Sequence, residues 1–370
     1  MGTPRQHPVA RNPDRARREN LEKACERPVN TSNGDQNARI TVGIIFGGAN
    51  SEHEVSCSSA RGVLANLDSS QFEPVLLHIG RDGLWRRVES IDDDAEGGAM
   101  LPDLDGLDVV LPVLHGRFGE DGTVQGLLEL VGIPYVGCGV LSSALAMDKL
   151  MTQSVLAAAG LPTVTSIGVT ERTRADAAAA AERLGYPVFV KPNRAGSSVG
   201  VSRVESAADL DDALDLALAS DTTAVLQPLM VAEEIDLGVL QQPEGELVIG
   251  AALHILTARG SAFFDYTAKY TDGGHEFEIP AKIPDELRTT LEGLAVRAFR
   301  ALDCEGLARV DFFLSADGAI AINEVNTMPG MTALSQFPSI WQASGVSYPE
   351  LLGRLIDRAL AARPARARTA

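Results

Sequence analysis

Between Gly306 and Asn326 the chain reads GLARVDFFLSADGAIAINEVN, two β-rich runs meeting at Asp317-Gly318. An Asp-Gly pair between such runs is a strong short-range hairpin signal. It constrains the fold because hairpin register decides which side chains share a face. With Asp317-Gly318 as a two-residue loop, Ala316 faces Ala319 and Asp311 falls opposite Glu324. Side chains alternate along a strand, so Arg309 and Asn326 join that acidic pair on one face. Val310, Phe312, Ile322 and Val325 turn elsewhere or flank it. Like charges directly opposite in a sheet are unfavourable by up to about 1 kcal/mol unless something neutralises them. Two readings are open: a Mg²⁺ ion held by carboxylates and substrate phosphates, or the solvated outer face of an edge hairpin. The apolar turn that follows, TMPGMT from Thr327 to Thr332, favours a covered face.

The 370 residues suffice for two or three domains, and 45% apolar content marks a globular chain. A net charge of −18 argues against nucleic acid or an anionic membrane surface as a partner. No apolar run reaches membrane-spanning length, and the first residues lack a signal-peptide core. Cys25, Cys57, Cys138 and Cys304 lie far apart, without a CxxC pair or zinc spacing. A reduced, cytoplasmic enzyme is the reading that results.

Met1 to Arg39, polar and rich in Arg, Pro and Asn, reads as a disordered extension, a solvated tail or an arginine contact for something acidic. Structure begins with the strand ITVGIIF from Ile40. Gly47-Gly48, a polar turn, a helix from Val55 to Leu67 and the strand PVLLHIG complete a βαβ opening of a doubly wound domain. GxGxxG is missing, so no dinucleotide is indicated. Asp92 to Glu96 reads as a loop. The strand LDVVLPVL runs into His115-Gly116-Arg117-Phe118-Gly119-Glu120-Asp121-Gly122, the carboxyl-end position where open α/β sheets bind ligands. His115 reads equally as structural or functional. Helices come next at Thr123 to Val131, Leu141 to Ala159 and Arg174 to Leu184.

Past the strand Tyr186 to Val190, the stretch KPNRAGSSVG from Lys191 to Gly200 is a Gly/Ser loop. Its N–H groups suit phosphate, and a flexible connection is the alternative. It is not a Walker A loop. VLQPLM is broken by Pro228, a hinge reading; strands IDLGVL and ELVIGAAL come after it. FFDYTAKY, from Phe263 to Tyr270, with the Gly-rich TDGGHE behind it, reads as a mobile lid. The last helices are Leu287 to Leu302 and Tyr348 to Ala362.

Six of these stretches, GGANSEHEVS, HGRFGEDGTVQGLLELVGIPYVGCGVLSSALAMDK, KPNRAGSSVG, FFDYTAKY, ARVDFF and NEVNTMPGMT, together resemble the D-alanine–D-alanine ligases of the ATP-grasp superfamily, in order and spacing, from Ile40 to about Leu355. The resemblance implies an α/β chain, α+β toward its C-terminus, with the ATP-grasp fold in three domains. These are an N-terminal doubly wound parallel-sheet domain that binds substrate (40–145), a central ATP-grasp subdomain (146–226) and a C-terminal ATP-grasp domain with lid and Mg²⁺ site (227–370), behind the extension 1–39. It implies ATP-dependent phosphorylation of one D-alanine and attack on the acyl phosphate by the amine of a second, for peptidoglycan synthesis. ATP and two Mg²⁺ ions, replaceable by Mn²⁺, are the implied cofactors, and a homodimer the implied assembly.

By the same resemblance, Lys149 and Lys191 contact phosphate, Ser198 and Gln227 join the ATP site, and Glu234 binds ribose. Asp311, Glu324 and Asn326 ligate the two Mg²⁺ ions, in agreement with the hairpin register. Arg309 and the Gly330 N–H stabilise the tetrahedral oxyanion. Glu52 holds the first substrate's ammonium and His115 meets its carboxylate. Ser197 and Tyr270 bond to Glu52 and tie the lid to the body. Lys269 meets phosphate, and Ser335 the second substrate's carboxylate. Three features depart from the pattern. Gln227-Pro228 stands where many relatives have Glu-Lys at the adenine hinge, and Pro228 has no N–H to donate. Gln336 replaces an apolar neighbour of Ser335, and the N-terminal tail has no counterpart. Tyr270, rather than Phe, matches enzymes that use an amine nucleophile. The alternatives are a same-fold ligase joining D-alanine to D-serine or D-lactate, and a non-catalytic nucleotide-binding protein. Retention of every implied metal and phosphate residue disfavours the second.

Overall fold

The computed structural model describes residues 39–93, 97–196, 200–257 and 275–366. The expected N-terminal extension, Asp94 to Glu96 of the acidic loop, Ser197, Ser198 and the lid with Lys269 and Tyr270 lie outside the described residues. The elements all belong to the unit that begins at Ile40. Its strands form three sheets in three successive stretches of chain.

The first sheet is the expected βαβ opening. β1 (Ile40–Gly47) is followed by α1 (His53–Asn66), β2 (Phe72–Ile79), β3 (Trp85–Val88) and β4 (Val109–Pro112). Their order is β3-β2-β1-β4. β1 is parallel to both β2 and β4 and has a near-continuous buried apolar run, as a strand covered on both faces requires. β3 is an antiparallel edge strand that periodicity did not reveal.

α2 (Thr123–Val131) matches its expected bounds, closed by Gly132 at φ 71. The single helix expected from Leu141 to Ala159 is instead two, α3 (Val140–Met147) and α4 (Lys149–Ala158). Asp148 separates them in an extended conformation, and its carboxylate accepts the Met151 N–H at 3.0 Å as an N-cap. Spacing alone runs through this break because both halves are rich in helix-favouring residues with no Gly or Pro between them.

The second sheet is antiparallel, so the α+β character begins earlier than the C-terminal part. It comprises β5 (Ile167–Val169), β6 (Val188–Pro192), β7 (Ser202–Val204) and β8 (Ala224–Pro228), in the order β5-β8-β6-β7. α5 (Ala177–Leu184) and α6 (Leu210–Leu218) share its apolar core. Pro228 ends β8, opposite Val188, rather than breaking a loop; a strand end tolerates the missing donor.

The third sheet contains β9 (Ala232–Gln241), β10 (Leu247–Ile249), β11 (Leu253–Thr257) and β12 (His275–Glu278), then α7 (Asp285–Ala301), β13 (Leu307–Ser315) and β14 (Ile320–Asn326). The expected strand ELVIGAAL is split into β10 and β11 at Gly250. Here the backbone runs so close to α8 (Gln336–Ala343) that a Cβ would lie 2.4 Å from Ile340 Cγ2. β13 sits between β9 and β14, and Val310 and Phe312 are fully buried against α7. The last helix, α9 (Tyr348–Arg366), returns to the first sheet, where Leu351, Leu355 and Ile356 share a core with Val42, Ile44 and Ala60.

The hairpin reaches the expected pairing by a different route. Ser315 N–H donates to Ala319 O at 2.9 Å and Gly318 N–H to Ser315 O at 2.9 Å, closing a three-residue loop with Gly318 at φ 86. Leu314 therefore faces Ile320 and Phe312 faces Ile322, one step from the two-residue register. A bulge then leaves Asn323 unpaired, and Asp311 faces Glu324 and Arg309 faces Asn326 as expected. Without the bulge Asn323 would oppose Asp311 and Glu324 would point to the other face.

α1 lies close beneath the turn after this hairpin. A Cβ on Gly62 would stand 2.6 Å from Met331 O and 2.9 Å from Thr332 Cα, both backbone atoms that cannot swing aside. Gly62→Ala is expected to destabilise the protein by about 1–3 kcal/mol. Urea unfolding measures it; an unchanged midpoint would show that α1 and the turn do not pack as described.

Candidate active site

The carboxyl end of β1 turns sharply through Gly47 and Gly48, at φ 92 and 111, and delivers Glu52 to the N-cap of α1. Asn50 holds this turn. Its amide donates to His115 O at 2.9 Å and Arg117 O at 2.6 Å, and its Oδ1 accepts the Glu52 N–H at 2.9 Å. Glu52 is 7% exposed. A Cβ on Gly116 would be 1.9 Å from its Oε2, and one on Gly196 3.0 Å from both oxygens. Glycine at both positions lets the loop after β4 and the loop after β6 close on one carboxylate.

His115 is buried, and both its nitrogens are engaged. Nδ1–H donates to Met328 O at 3.2 Å, so Nε2 accepts from the Ser59 hydroxyl at 2.9 Å. Ser59 Oγ in turn receives the Met331 N–H at 3.2 Å. Burial holds His115 neutral, near 4; the Met328 carbonyl opposes this shift and Arg309 adds to it. The ring thus fixes the turn carrying Gly330. A Cβ at Gly330 would reach Ser335 Oγ at 2.9 Å, and that hydroxyl accepts the Thr332 N–H at 3.1 Å.

The helix break at Asp148 places Lys149 beside the loop after β6. Its Nζ donates to Ala195 O at 2.6 Å, while Asn193 Oδ1 accepts the Leu150 N–H at 3.0 Å. Lys191 lies on β6 opposite Val225, and Gln227, buried on β8 opposite Phe189, donates to Ser166 Oγ at 2.8 Å.

On the third sheet the four hairpin residues come together. Arg309 makes a two-bond fork with Asp311, 2.7 Å to each oxygen, and Asn326 donates to Asp311 Oδ2 at 2.9 Å. Asp236 of β9 faces Asp311 from the other side and lies 3.7 Å from Arg309. Burial and then the Asp311 charge raise Asp236 well above the usual carboxylate range, against the pull of Arg309. Burial acts to lower Arg309, but Asp311, Asp236 and Glu324 overcome it and hold the guanidinium charged. The Oδ1 of Asp236 is buried without a hydrogen-bond partner. Glu234, Asp236 and Asp311 each offer an oxygen within 4.8 Å of the others. Three carboxylates crowded on one face, two of them buried, fit a hard divalent ion, and Asp311, Glu324 and Asn326 are suited to Mg²⁺.

Two matches now bear on this geometry. Residues 41–138 match the family model described as D-ala D-ala ligase N-terminus and residues 155–357 the one described as D-ala D-ala ligase C-terminus. The chain belongs to the D-alanine–D-alanine ligase family. Relatives named D-alanine–D-alanine ligase include one from Mycolicibacterium gilvum, 42% identical over 88% of this chain and 98% of the relative. Another, from Nocardia farcinica, is 44% identical over 87% and 98%. Among solved structures, the VanG D-Ala:D-Ser ligase from Enterococcus faecalis is similar at TM-score 0.75 and 34% identity, covering 87% of this chain and all of that one. The D-alanine-D-alanine ligase from Coxiella burnetii is similar at 0.77 and 27%, covering 90% and 97%.

Three residues of this family member's site escaped sequence reasoning. Asp236 is one, its signal being a lone acid inside the apolar run IDLGVL. It also accepts from Gln336 Nε2 at 2.7 Å, which gives the unusual Gln336 a partner beside Ser335. Ser59 carried no signal in the sequence. Glu120 is the third, half-buried, with Oε2 accepting the Gly116 N–H at 2.6 Å. Burial and then the Glu52 charge push its carboxyl up to about 8, against backbone hydrogen bonds from Gly116 and Met328.

Glu120 is therefore protonated at neutral pH in the fold and ionised in the unfolded chain. Its contribution is present below the ordinary value of 4.5 and is lost as pH rises toward about 8. Glu120→Gln is expected to flatten the fall in urea midpoint between pH 5 and pH 8. Parallel profiles for variant and parent would contradict a protonated Glu120.

Proposed function

We propose that this chain joins two molecules of D-alanine into D-alanyl-D-alanine at the expense of ATP, through an acyl phosphate, as a cytoplasmic step of peptidoglycan precursor synthesis. The observation that carries the reading is the single polar face of Arg309, Asp311, Glu324 and Asn326, set by a bulged hairpin beside the Gly330 turn. Two divalent cations, Mg²⁺ or Mn²⁺, held by Asp311, Glu324 and Asn326, would neutralise phosphate oxygens. We further propose a homodimer, with domains at 40–145, 146–226 and 227–370.

In this reading the chain's residues position and neutralise, which is most of what phosphoryl transfer needs. Glu52 receives the ammonium of the first D-alanine, and His115 holds the turn near its carboxylate. Lys149, Lys191 and Lys269 meet phosphate; Ser198 and Gln227 complete the nucleotide site, with Glu234 at the ribose. Arg309 and the Gly330 N–H face the oxyanion of the tetrahedral intermediate, preorganised by Asp311 and by the Ser59–His115 chain. Ser335 meets the second carboxylate. Ser197 and Tyr270 close the lid on Glu52 and exclude water from the acyl phosphate.

Phosphate release with D-alanine, D-serine and D-lactate, offered singly and in competition with products weighed by mass spectrometry, tests the substrate. D-alanyl-D-alanine should dominate; a mixed dipeptide or depsipeptide would move the second substrate. Glu324→Ala should abolish ATP-dependent turnover while circular dichroism shows a native fold, and near-normal turnover would remove Glu324 from the cation site. Tyr270→Phe should loosen discrimination against D-lactate. An unchanged D-alanine to D-lactate ratio would count against Tyr270 as the determinant.

A further inference from the structure

A second set of donor side chains converges on α1, away from the oxygen cluster. His53 and Cys57 stand one turn apart on that helix, 8% and 5% exposed. His78 lies on β2, beside Phe46 of β1 in the parallel register. One donor atom from each of the three lies within 4.8 Å of the others. His53 Nδ1 meets the Gly48 carbonyl at 2.7 Å. A carbonyl only accepts, so Nδ1 carries the proton and Nε2 the lone pair. An imidazole whose other N–H is taken by a backbone carbonyl is the outer-shell arrangement that orients metal-binding histidines. The His78 ring is edge-on to His53 at 5.4 Å and stacked on Phe46 at 5.1 Å. Gly47 clears the space for it: a Cβ there would sit 2.8 Å from His78 Cδ2 and 3.0 Å from Nε2.

We propose that His53, Cys57 and His78 form a binding site for one borderline-soft divalent cation of the zinc class. Two nitrogens and a sulfur select such an ion, whereas the all-oxygen cluster on the third sheet selects a hard one, so the two sites sort cations by donor chemistry. Three protein ligands leave one tetrahedral position, and the half-buried His78 side opens it to water. Bonds of about 2.0–2.3 Å require donors roughly 3.3–3.8 Å apart, which the three reach with at most about 1–1.5 Å of movement. Cys57 enters as thiolate and its proton leaves to solvent, while both imidazoles stay neutral. The loaded site joins β2 to the first turn of α1, directly behind the Gly48–Glu52 segment. Zinc therefore stiffens the mount of Glu52 and raises thermal stability in a concentration-dependent way. The inference stands apart from the ligase reading, because its readouts need no substrate.

The test uses the full chain, stripped with a chelator, with excess Mg²⁺ present to occupy oxygen ligands. Loading with one equivalent of Co²⁺ should give a near-ultraviolet thiolate-to-cobalt charge-transfer band. Loading with Zn²⁺ should leave one ion per chain after desalting and raise the melting temperature. Cys57→Ser should remove the band, and His78→Ala should weaken zinc binding at least about tenfold. Absence of the band in the parent protein, or equal zinc retention by Cys57→Ser and parent, overturns the proposal and assigns any bound metal to the carboxylates. Should Cys57→Ser fail to fold by circular dichroism, the half-buried His78→Ala decides: equal zinc affinity in that variant also overturns it.

Discussion

The crowding of carboxylates around Arg309 is the constraint on which the rest of the site depends. Asp311 and Asp236 face one another across β13 and β9, and Glu324 faces Asp311 across β14. One guanidinium forks onto Asp311 and lies 3.7 Å from Asp236. Buried charge of one sign in excess is unfavourable unless a proton or a metal balances it. The fold supplies the first through the raised Asp236 carboxyl and leaves donors suited to the second. An arrangement that is poor for stability alone is well suited to hold a divalent cation.

Around that face three stretches of chain meet, two from adjacent strands of the first sheet and one from the second sheet. The turn after β1, the loop after β4 and the loop after β6 meet at Glu52, where glycines remove the side chains that would hold them apart. The chain from Met331 N–H through Ser59 to His115 and Met328 O ties α1 and the first sheet to the turn after the hairpin. Tyr348 at the start of α9 also donates to Met331 O, so the helix that returns to the first sheet holds the same turn. Gly330 is thus fixed from both sides, the preorganisation that its proposed oxyanion role requires. His53 and Cys57 lie on the same helix as Ser59, and His78 reaches them from β2.

Much of this was legible in the amino-acid order. Strand and helix periods located most of the first sheet, α2, α7 and α9, and the Asp-Gly pair fixed attention on the hairpin. The expected pairing of Asp311 with Glu324 held because two departures cancelled: the loop has three residues, and the Asn323 bulge absorbs the extra one. Local signals report the turn; they do not report a bulge, which is set by what packs above and below the strand. The division at Asp148 likewise escaped a periodicity that both helices share, although the capping aspartate was present in the sequence.

Sequence by itself determined the residues of the hairpin face, the glycine loops and, through the order of its motifs, the family. Each is a local pattern whose chemistry can be read without knowing its neighbours. Tertiary structure alone decided that the Asp236 and Glu120 carboxyls are pushed up by desolvation, that both nitrogens of His115 are occupied, and that His53, Cys57 and His78 share one corner. These are properties of the space between segments far apart in the chain. Burial and approach set ionisation and ligation there, and neither is encoded in the spacing of residues along a single strand or helix.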